Sequence, residues 1–219
     1  MDAYSQARRL AWLQNKSELS GRSEVTPHRS MSAVENPDDA GLLRRVRKGD
    51  GDAFTALYRR HQSAVYRFAL QMTGSRTIAE DVTQEVFMAL IRNPESYDAA
   101  RGALASYLYG AARNTVHRTL ERDRFCAAEG EDETAAPDDA LADLTRRETL
   151  VEVRQAILAL PANYREVVVL CDLHEMSYQD AASVMGCAVG TVRSRLNRAR
   201  NLLAAKLTRK NANPARCLA

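Results

Sequence analysis

The sequence is poor in aromatic residues, which make up only 6% of its 219 positions. Strands favour aromatic and β-branched residues that alternate with polar ones, and no long alternating run is present. The 45% of hydrophobic residues is nevertheless enough to bury a core. We therefore predict an all-α protein.

Long apolar runs are also missing. No stretch approaches the ~20 apolar residues that a membrane-spanning helix requires. The first 21 residues carry charges and lack the continuous apolar segment of a secretory signal. We therefore expect a cytoplasmic protein that does not insert into a membrane.

Cysteine pairs with metal-ligand or redox spacing are absent as well. None of the four cysteines forms a C-x-x-C pair, and Cys171 and His174, although suitably spaced, have no second pair to complete a site. We predict reduced or buried cysteines and no metal or other cofactor. Nothing resembles a nucleophile–base pair or a phosphate-binding loop, so we expect no enzymatic activity.

The charges are unevenly distributed, although the net charge is only +3. Residues 189–210 carry seven basic side chains and no acidic one, whereas residues 125–145 carry seven acidic side chains and no basic one. This pattern indicates a polyanion-binding C-terminal domain behind a flexible, self-repelling linker. The predicted organisation is a disordered extension (1–36), a helical domain (37–124), the acidic linker (125–145), a second helical domain (146–210) and a tail (211–219).

The second domain contains the pattern of a helix-turn-helix between about Tyr178 and Arg200. Ser177 is a good N-cap, and Gly186 can adopt the left-handed conformation that ends a helix. Small Ala182 allows a close approach to the next helix, which begins near Val189. One face of that helix is apolar, with Val192, Leu196, Ala199 and Leu203.

The opposite face of this helix carries side chains suited to DNA. Arginine can bind a guanine edge and asparagine an adenine edge, and a helix N-terminus suits a phosphate. The alternative is a solvated basic face on an ordinary helix, but the glycine turn favours DNA binding. The candidate residues are Thr191, Arg193, Ser194, Asn197, Arg198 and Arg200.

The first domain contains a helix with two distinct faces. We predict that it begins at Thr77 with a capping box to Glu80, and that it ends before Pro94. Its apolar stripe consists of Ile78, Val82, Val86 and Leu90. Asp81, Gln84, Glu85 and Met88 form an exposed stripe, which is either a docking surface for a basic protein or simply solvated.

A third helix, from about Leu104 to Arg124, has a basic and amide-bearing face. Its members are Asn114, His117, Arg118, Glu121 and Arg122, with Tyr107 and Tyr109 at the head of the helix. Tyrosine rings can stack on unpaired bases while cations follow the phosphate backbone. Equally, each tyrosine could belong to the core.

In combination, these segments resemble the bacterial sigma factors of the extracytoplasmic-function group, a branch of the sigma-70 family. The similarity runs from about Asp50 to Lys206. Four segments carry it: DAFTALYRRHQSAVYRF (52–68), AEDVTQEVFMA (79–89), YLYGAARNTVHRTLER (107–122) and LPANYREVVVLCDLHEMSYQDAASVMGCAVGTVRSRLNRAR (160–200). The last is the most specific.

The resemblance assigns roles to residues. It implies a region 2 helix bundle and a region 4 helix-turn-helix that reads the promoter −35 element through Thr191, Arg193, Ser194, Asn197 and Arg198. In region 2 it implies polymerase docking through Asp81, Gln84, Glu85 and Phe87, and −10 binding through Tyr107, Asn114, Arg118 and Arg122. The loop 95–103 matches the segment that captures an extruded −10 base. The family usually has tryptophan at the position of Tyr107.

The partners implied by the resemblance are core RNA polymerase, through the clamp helices of its largest subunit and the flap of the second, promoter DNA, and an anti-sigma factor. The function implied is promoter-specific initiation of transcription. Two alternatives from other classes are a stand-alone helix-turn-helix regulator and a sigma mimic that sequesters an anti-sigma factor.

Overall fold

The computed structural model describes residues 38–126 and 144–211, and within these ranges the chain forms helices and no strand. The helices are α1 (Asp39–Val46), α2 (Gly51–Thr73), α3 (Arg76–Arg92), α4 (Leu104–Cys126), α5 (Leu144–Leu158), α6 (Ala162–Val168), α7 (Tyr178–Met185) and α8 (Val189–Asn211). The prediction of an all-α fold is confirmed. The predicted extension, most of the acidic linker and most of the tail lie outside the described residues.

Helices α1 to α4 form the first bundle, with α2 packed against the other three. Its core consists of apolar side chains at helical spacing, including Leu57 and Phe68 of α2, Leu90 of α3 and Leu108 of α4, all at most 1% exposed. The apolar stripe predicted for α3 is also confirmed, because Val82, Val86 and Leu90 are buried and Ile78 packs against the core.

Local capping groups set the ends of these helices. Gly74 ends α2 with φ +76°, a conformation that glycine adopts without strain. The next helix begins earlier than predicted, since the N-cap of α3 is Ser75 and not Thr77. The Ser75 hydroxyl accepts a hydrogen bond from the Ile78 amide at 3.3 Å. Two hydroxyl residues stand close together here, and Ser75 is the one with extended backbone.

Helices α5 to α8 form the second bundle. Helix α6 continues into a π-helical turn (Val169–Leu173), and residues 167–170 are buried, as their apolar run predicts. The helix-turn-helix is confirmed as α7 and α8. Ser177 caps α7 by accepting from the Asp180 amide at 3.1 Å, and Gly186 ends it at φ +62°.

The two bundles pack directly against each other, which the sequence did not indicate. Helix α5 contacts α2, and α7 contacts α4. A Cβ atom placed on Gly74 would lie 2.9 Å from Leu158 Cδ1, so the bundles approach closely at this turn. Arg165 of α6 reaches across to donate a hydrogen bond to the carbonyl oxygen of Met72.

Within the described ranges, none of the helices combines the length and apolar character needed to span a membrane.

Candidate nucleic-acid interface

The outer face of α8 is accessible. Its inner face is buried through Val192, Leu196, Ala199 and Leu203, none more than 4% exposed. The opposite side carries Arg193, Ser194, Asn197 and Arg198, all exposed, while Thr191 near the helix N-terminus is half-buried. The structure therefore brings the five predicted −35 residues together on one side of a single rigid helix.

Two of these side chains have neighbours that orient them. The Arg193 guanidinium lies 5.8 Å from the centre of the Tyr178 ring, within the range of a cation–π contact. The Ser194 hydroxyl donates to the Thr191 carbonyl oxygen at 3.0 Å. Tyr178 is itself exposed, so the Arg193 head group remains accessible to a DNA base.

Arg200 has a partner that the sequence did not predict. Its guanidinium donates to both carboxylate oxygens of Asp172, at 2.6 and 3.2 Å, and Asp172 is buried. A paired carboxylate with so little access to water holds its arginine firmly. Arg200 therefore ties α8 to the turn that follows α6, and its assignment to the DNA-facing surface stays a prediction.

The outer face of α3 carries polar side chains beside two exposed apolar residues, Met88 and Ile91. Asp81, Gln84 and Glu85 are exposed, and Met88 is 38% exposed beside them. Glu85 pairs with Arg118 of α4, so one predicted polymerase contact and one predicted −10 contact are adjacent. Both side chains are more than half exposed, and such pairs contribute only about 0–1 kcal/mol.

Phe87 does not lie on this outer face. It is 2% exposed, and its ring meets that of Tyr58 edge-on with 4.9 Å between centroids. The ring centroids of Phe54 and Phe87 are 6.4 Å apart, so Phe54 belongs to the same aromatic cluster. The resemblance matched Phe87 to a docking motif, but the structure places its side chain in the core, where it packs α3 against α2.

On α4, three predicted −10 residues share an open face: Asn114, Arg118 and Arg122 are exposed. The two tyrosines at the head of the helix differ. Tyr109 is buried and its ring meets that of Phe68 at 5.6 Å, whereas Tyr107 is half-buried. Tyr109 therefore belongs to the core, and Tyr107 packs against the edge of the core.

The loop between α3 and α4 consists of two short 3-10 turns, Pro94–Ser96 and Ala99–Arg101. Tyr97 between them is buried, and its hydroxyl donates to the Gly102 carbonyl oxygen at 2.9 Å. Tyr107 shares a 2.5 Å hydrogen bond with the Ser96 hydroxyl, and its ring lies edge-on to that of Tyr97. Tyr107 therefore braces the loop.

An acidic residue that sequence analysis missed connects the two bundles. Glu166 of α6 is fully buried and forms an ion pair with Arg113 of α4. His117 Nε2 lies 3.6 Å from the other carboxylate oxygen, close enough for an ion pair when the ring is protonated. The available signal was an acidic side chain directly before the apolar run 167–170.

A half-buried histidine, His174, lies at the same boundary. His174 Nδ1 is 2.7 Å from the Tyr109 hydroxyl, and its Nε2 is 2.9 Å from Gln71 Oε1. Burial, with a smaller contribution from Arg67, lowers the pKa of His174 to about 4. Burial also raises the pKa of Tyr109 to about 12, so both groups are neutral near pH 7. The neutral ring accepts from Tyr109 and donates to Gln71.

The described cysteines have no ligand partners. Cys171 is buried and Cys187 is half-buried, and both are free thiols. Burial raises the pKa of Cys171 to about 11, which keeps it protonated and unreactive. Across residues 38–126 and 144–211, no group of three or more His, Cys, Asp or Glu side chains could hold a metal ion.

Together, these features define a class: a helical protein with a DNA-binding helix-turn-helix in one bundle and a second basic, amide-bearing helix in the other. Comparison with known families is more specific. A family model for sigma-70 region 2 matches residues 57–125, and one for sigma-70 region 4 matches residues 150–203. The chain belongs to the sigma-70 family, within its extracytoplasmic-function (ECF) group.

Individual relatives agree with this assignment. The chain is 31% identical over 180 residues to the ECF RNA polymerase sigma factor SigW of Bacillus subtilis. The aligned region covers 75% of this chain and 94% of SigW. It is 36% identical over 183 residues to the ECF RNA polymerase sigma factor SigC of Mycobacterium tuberculosis. That aligned region covers 80% of this chain and 95% of SigC.

Two solved structures share the fold. One is the sigma factor RpoE in complex with the anti-sigma factor NepR from Bartonella quintana, with a TM-score of 0.61, 27% identity, and coverage of 71% of this chain and 96% of that one. The other is CnrH in complex with the cytosolic domain of CnrY, with a TM-score of 0.61, 28% identity and coverage of 78% and 97%. The chain is a sigma factor, as its sequence predicts.

Proposed function

We propose that three separate surfaces of this sigma factor bind core polymerase, the −10 strand and the −35 element. The exposed stripe on α3 docks on core RNA polymerase, at the clamp helices of its largest subunit. Helix α4 and the loop before it bind the −10 strand, and α8 reads the −35 element, with region 4 held at the flap of the second subunit. The polymerase and −10 functions fall in residues 37–124 and the −35 function in residues 146–210.

One observation carries this proposal. The α8 face with Arg193, Ser194, Asn197 and Arg198 is exposed and follows a glycine turn, and the arginine and amide groups match the major-groove edges of guanine and adenine. The α4 face with Asn114 and Arg118 supplies a second nucleic-acid surface on the other bundle. Two modest surfaces held at a fixed spacing bind more tightly than either one alone.

We further propose that the protein acts in the cytoplasm, where promoter DNA and polymerase are found, and catalyses no reaction itself. An anti-sigma factor is a proposed partner, and the two sigma factors of similar fold that are seen with one support this idea. Such a partner would need to cover the exposed faces of α3 or α8.

Run-off transcription with core polymerase, with and without the protein, tests the proposal. We expect initiation at a defined start site on some genomic templates only when the protein is present. Specific DNA binding without polymerase and without initiation would instead support a stand-alone regulator. Binding to an anti-sigma factor with neither activity would support a sigma mimic.

A further inference from the structure

The loop between α3 and α4 has an irregular backbone whose shape depends on hydrogen bonds from outside it. Between its two 3-10 turns, the backbone near Tyr97 is not part of any helix. Carbonyl oxygens in such segments need partners, because an unpaired and partly buried carbonyl is costly. The groups that supply these partners therefore fix the shape of the loop.

Arg47 supplies two of them. This residue directly follows α1, and its Nη2 donates to the Tyr97 carbonyl oxygen at 2.9 Å. Its Nε and Nη2 both lie 3.4 Å from the Pro94 carbonyl oxygen, and Nε is also 3.4 Å from the Glu95 carboxylate. A planar guanidinium can hold both carbonyls at once, whereas a lysine ammonium cannot reproduce that fork. One side chain thus spans the first turn of the loop.

The element that carries Arg47 is itself anchored. Asp39 at the start of α1 accepts from Arg60 Nη1 at 2.5 Å and lies 2.8 Å from His61 Nε2, both in α2. Leu42 and Leu43 of α1 are buried at 1% and 2% exposure. Arg47 therefore projects from a fixed helix, which positions a side chain more firmly than a loop does.

The far side of the loop has its own braces. The Tyr97 hydroxyl donates a hydrogen bond to the Gly102 carbonyl oxygen, and the hydroxyls of Tyr107 and Ser96 share another. These contacts come from the loop itself and from the helix that follows it. Arg47 reaches the loop from the end of α1, and it lies outside the residues 57–125 that match the region 2 family model.

We propose that Arg47 is a positioning residue for −10 recognition. By holding the carbonyl oxygens of Pro94 and Tyr97, it keeps the loop 95–103 in the shape that receives a single extruded nucleobase. The residue need not touch DNA. This inference rests on the proposed function, because it assumes that the loop receives that base.

The test measures base selection in the holoenzyme, reconstituted from the full chain and core polymerase. Forked promoter DNAs carry each of the four bases in turn at every single-stranded −10 position, and the dissociation constant of each is measured. We expect Arg47→Ala to reduce the preference at the extruded position by about fivefold, within the usual effect of one wrong base. Arg47→Lys should fall between Arg47→Ala and the unmutated protein.

Arg44→Ala is the matched control, because it removes an equal charge from an exposed residue of α1, three positions before Arg47. It should leave the preference unchanged. Core-polymerase affinity and −35 selection should stay constant in all three variants, which separates loop positioning from general misfolding. If Arg47→Ala does not fold, the intermediate preference of Arg47→Lys still decides the question.

An unchanged preference in Arg47→Ala or Arg47→Lys would overturn the inference, as would an equal loss at every promoter position. Both results are informative only when the unmutated holoenzyme selects a base in the −10 strand. If it initiates transcription but shows no such selection, the proposed role of the loop fails first, and the two failures can therefore be told apart.

Discussion

Arg113 of region 2 and Glu166 of region 4 form an ion pair across the boundary between the two bundles, and the carboxylate of Glu166 is fully buried. Arg113 lies on α4 next to Asn114, one of the proposed −10 contacts. The helix proposed to bind the −10 strand is therefore also the helix against which region 4 packs.

Loss of the arginine should be far more costly than loss of an exposed neighbour. Arg113→Ala leaves the buried carboxylate of Glu166 with only His117 nearby, so we expect the free energy of unfolding to fall by about 3–5 kcal/mol. Arg118→Ala removes an arginine from an exposed pair with Glu85, and the loss should stay within about 1 kcal/mol. Urea denaturation of both variants measures the difference, and equal losses would contradict this account.

His174 should make stability depend on pH. Its pKa is about 4 in the folded protein, below its ordinary value of 6.5. Its contribution to stability is therefore complete above pH 6.5 and is lost as the pH falls toward 4. Between pH 7 and pH 5 we expect the free energy of unfolding to decrease by about 2 kcal/mol from this group. The control is His174→Gln, which does not titrate.

The neighbours of His174 do not complicate this interval. Tyr109 stays protonated and Gln71 does not titrate from pH 5 to pH 7. Urea titrations at several pH values would give the slope for each protein. Identical slopes for the two proteins would show that the ring does not carry the effect.

Substitutions of Phe87 and Gln84 should have different effects, one on the stability of the fold and the other on the affinity for core polymerase. Phe87→Ala deletes a buried ring, so we expect unfolding to become easier by about 3–5 kcal/mol. Gln84→Ala changes an exposed residue, with a stability effect within about 0.5 kcal/mol, yet it should weaken the affinity for core polymerase. A binding titration against core polymerase, paired with thermal unfolding, checks both. Normal polymerase affinity in Gln84→Ala would argue against docking at this stripe.

Arg193→Ala should weaken −35 recognition. Loss of a bidentate arginine contact typically reduces discrimination by about 1–3 kcal/mol. Lys206→Ala, on the same helix but beyond the proposed contacts, should weaken binding to matched and scrambled −35 sequences alike. Holoenzyme binding to the two DNAs at one salt concentration gives the comparison. Base readout at this face would be excluded if the unmutated holoenzyme bound both DNAs equally.

The features predicted correctly from the sequence depend on neighbouring residues. Ser177 and Gly186 mark the ends of α7 because a cap hydroxyl and a left-handed glycine act within a few positions. The same is true of the buried run 167–170. Such signals need no knowledge of how the chain folds back on itself.

The features that were missed depend on long-range pairing. Arg200 is on the polar side of α8 in any helical projection, and only the fold brings buried Asp172, 28 residues earlier, within reach. Glu166 pairs across 53 residues with Arg113. Phe87 was assigned by resemblance to a motif, and a motif alone does not state which of its members point inward.

Under the proposed assignments, the exposed pair between Glu85 and Arg118 couples polymerase docking to strand binding. While the acid neutralises the base, the free protein is less strongly attracted to the phosphates of random DNA. Polymerase that engages Glu85 leaves the Arg118 charge available for a nucleic-acid strand. Because a surface pair is weak, this exchange of partners is fast and reversible. Under the proposed assignments, each side chain would exchange its partner within the protein for one outside it, at a cost of about 0–1 kcal/mol.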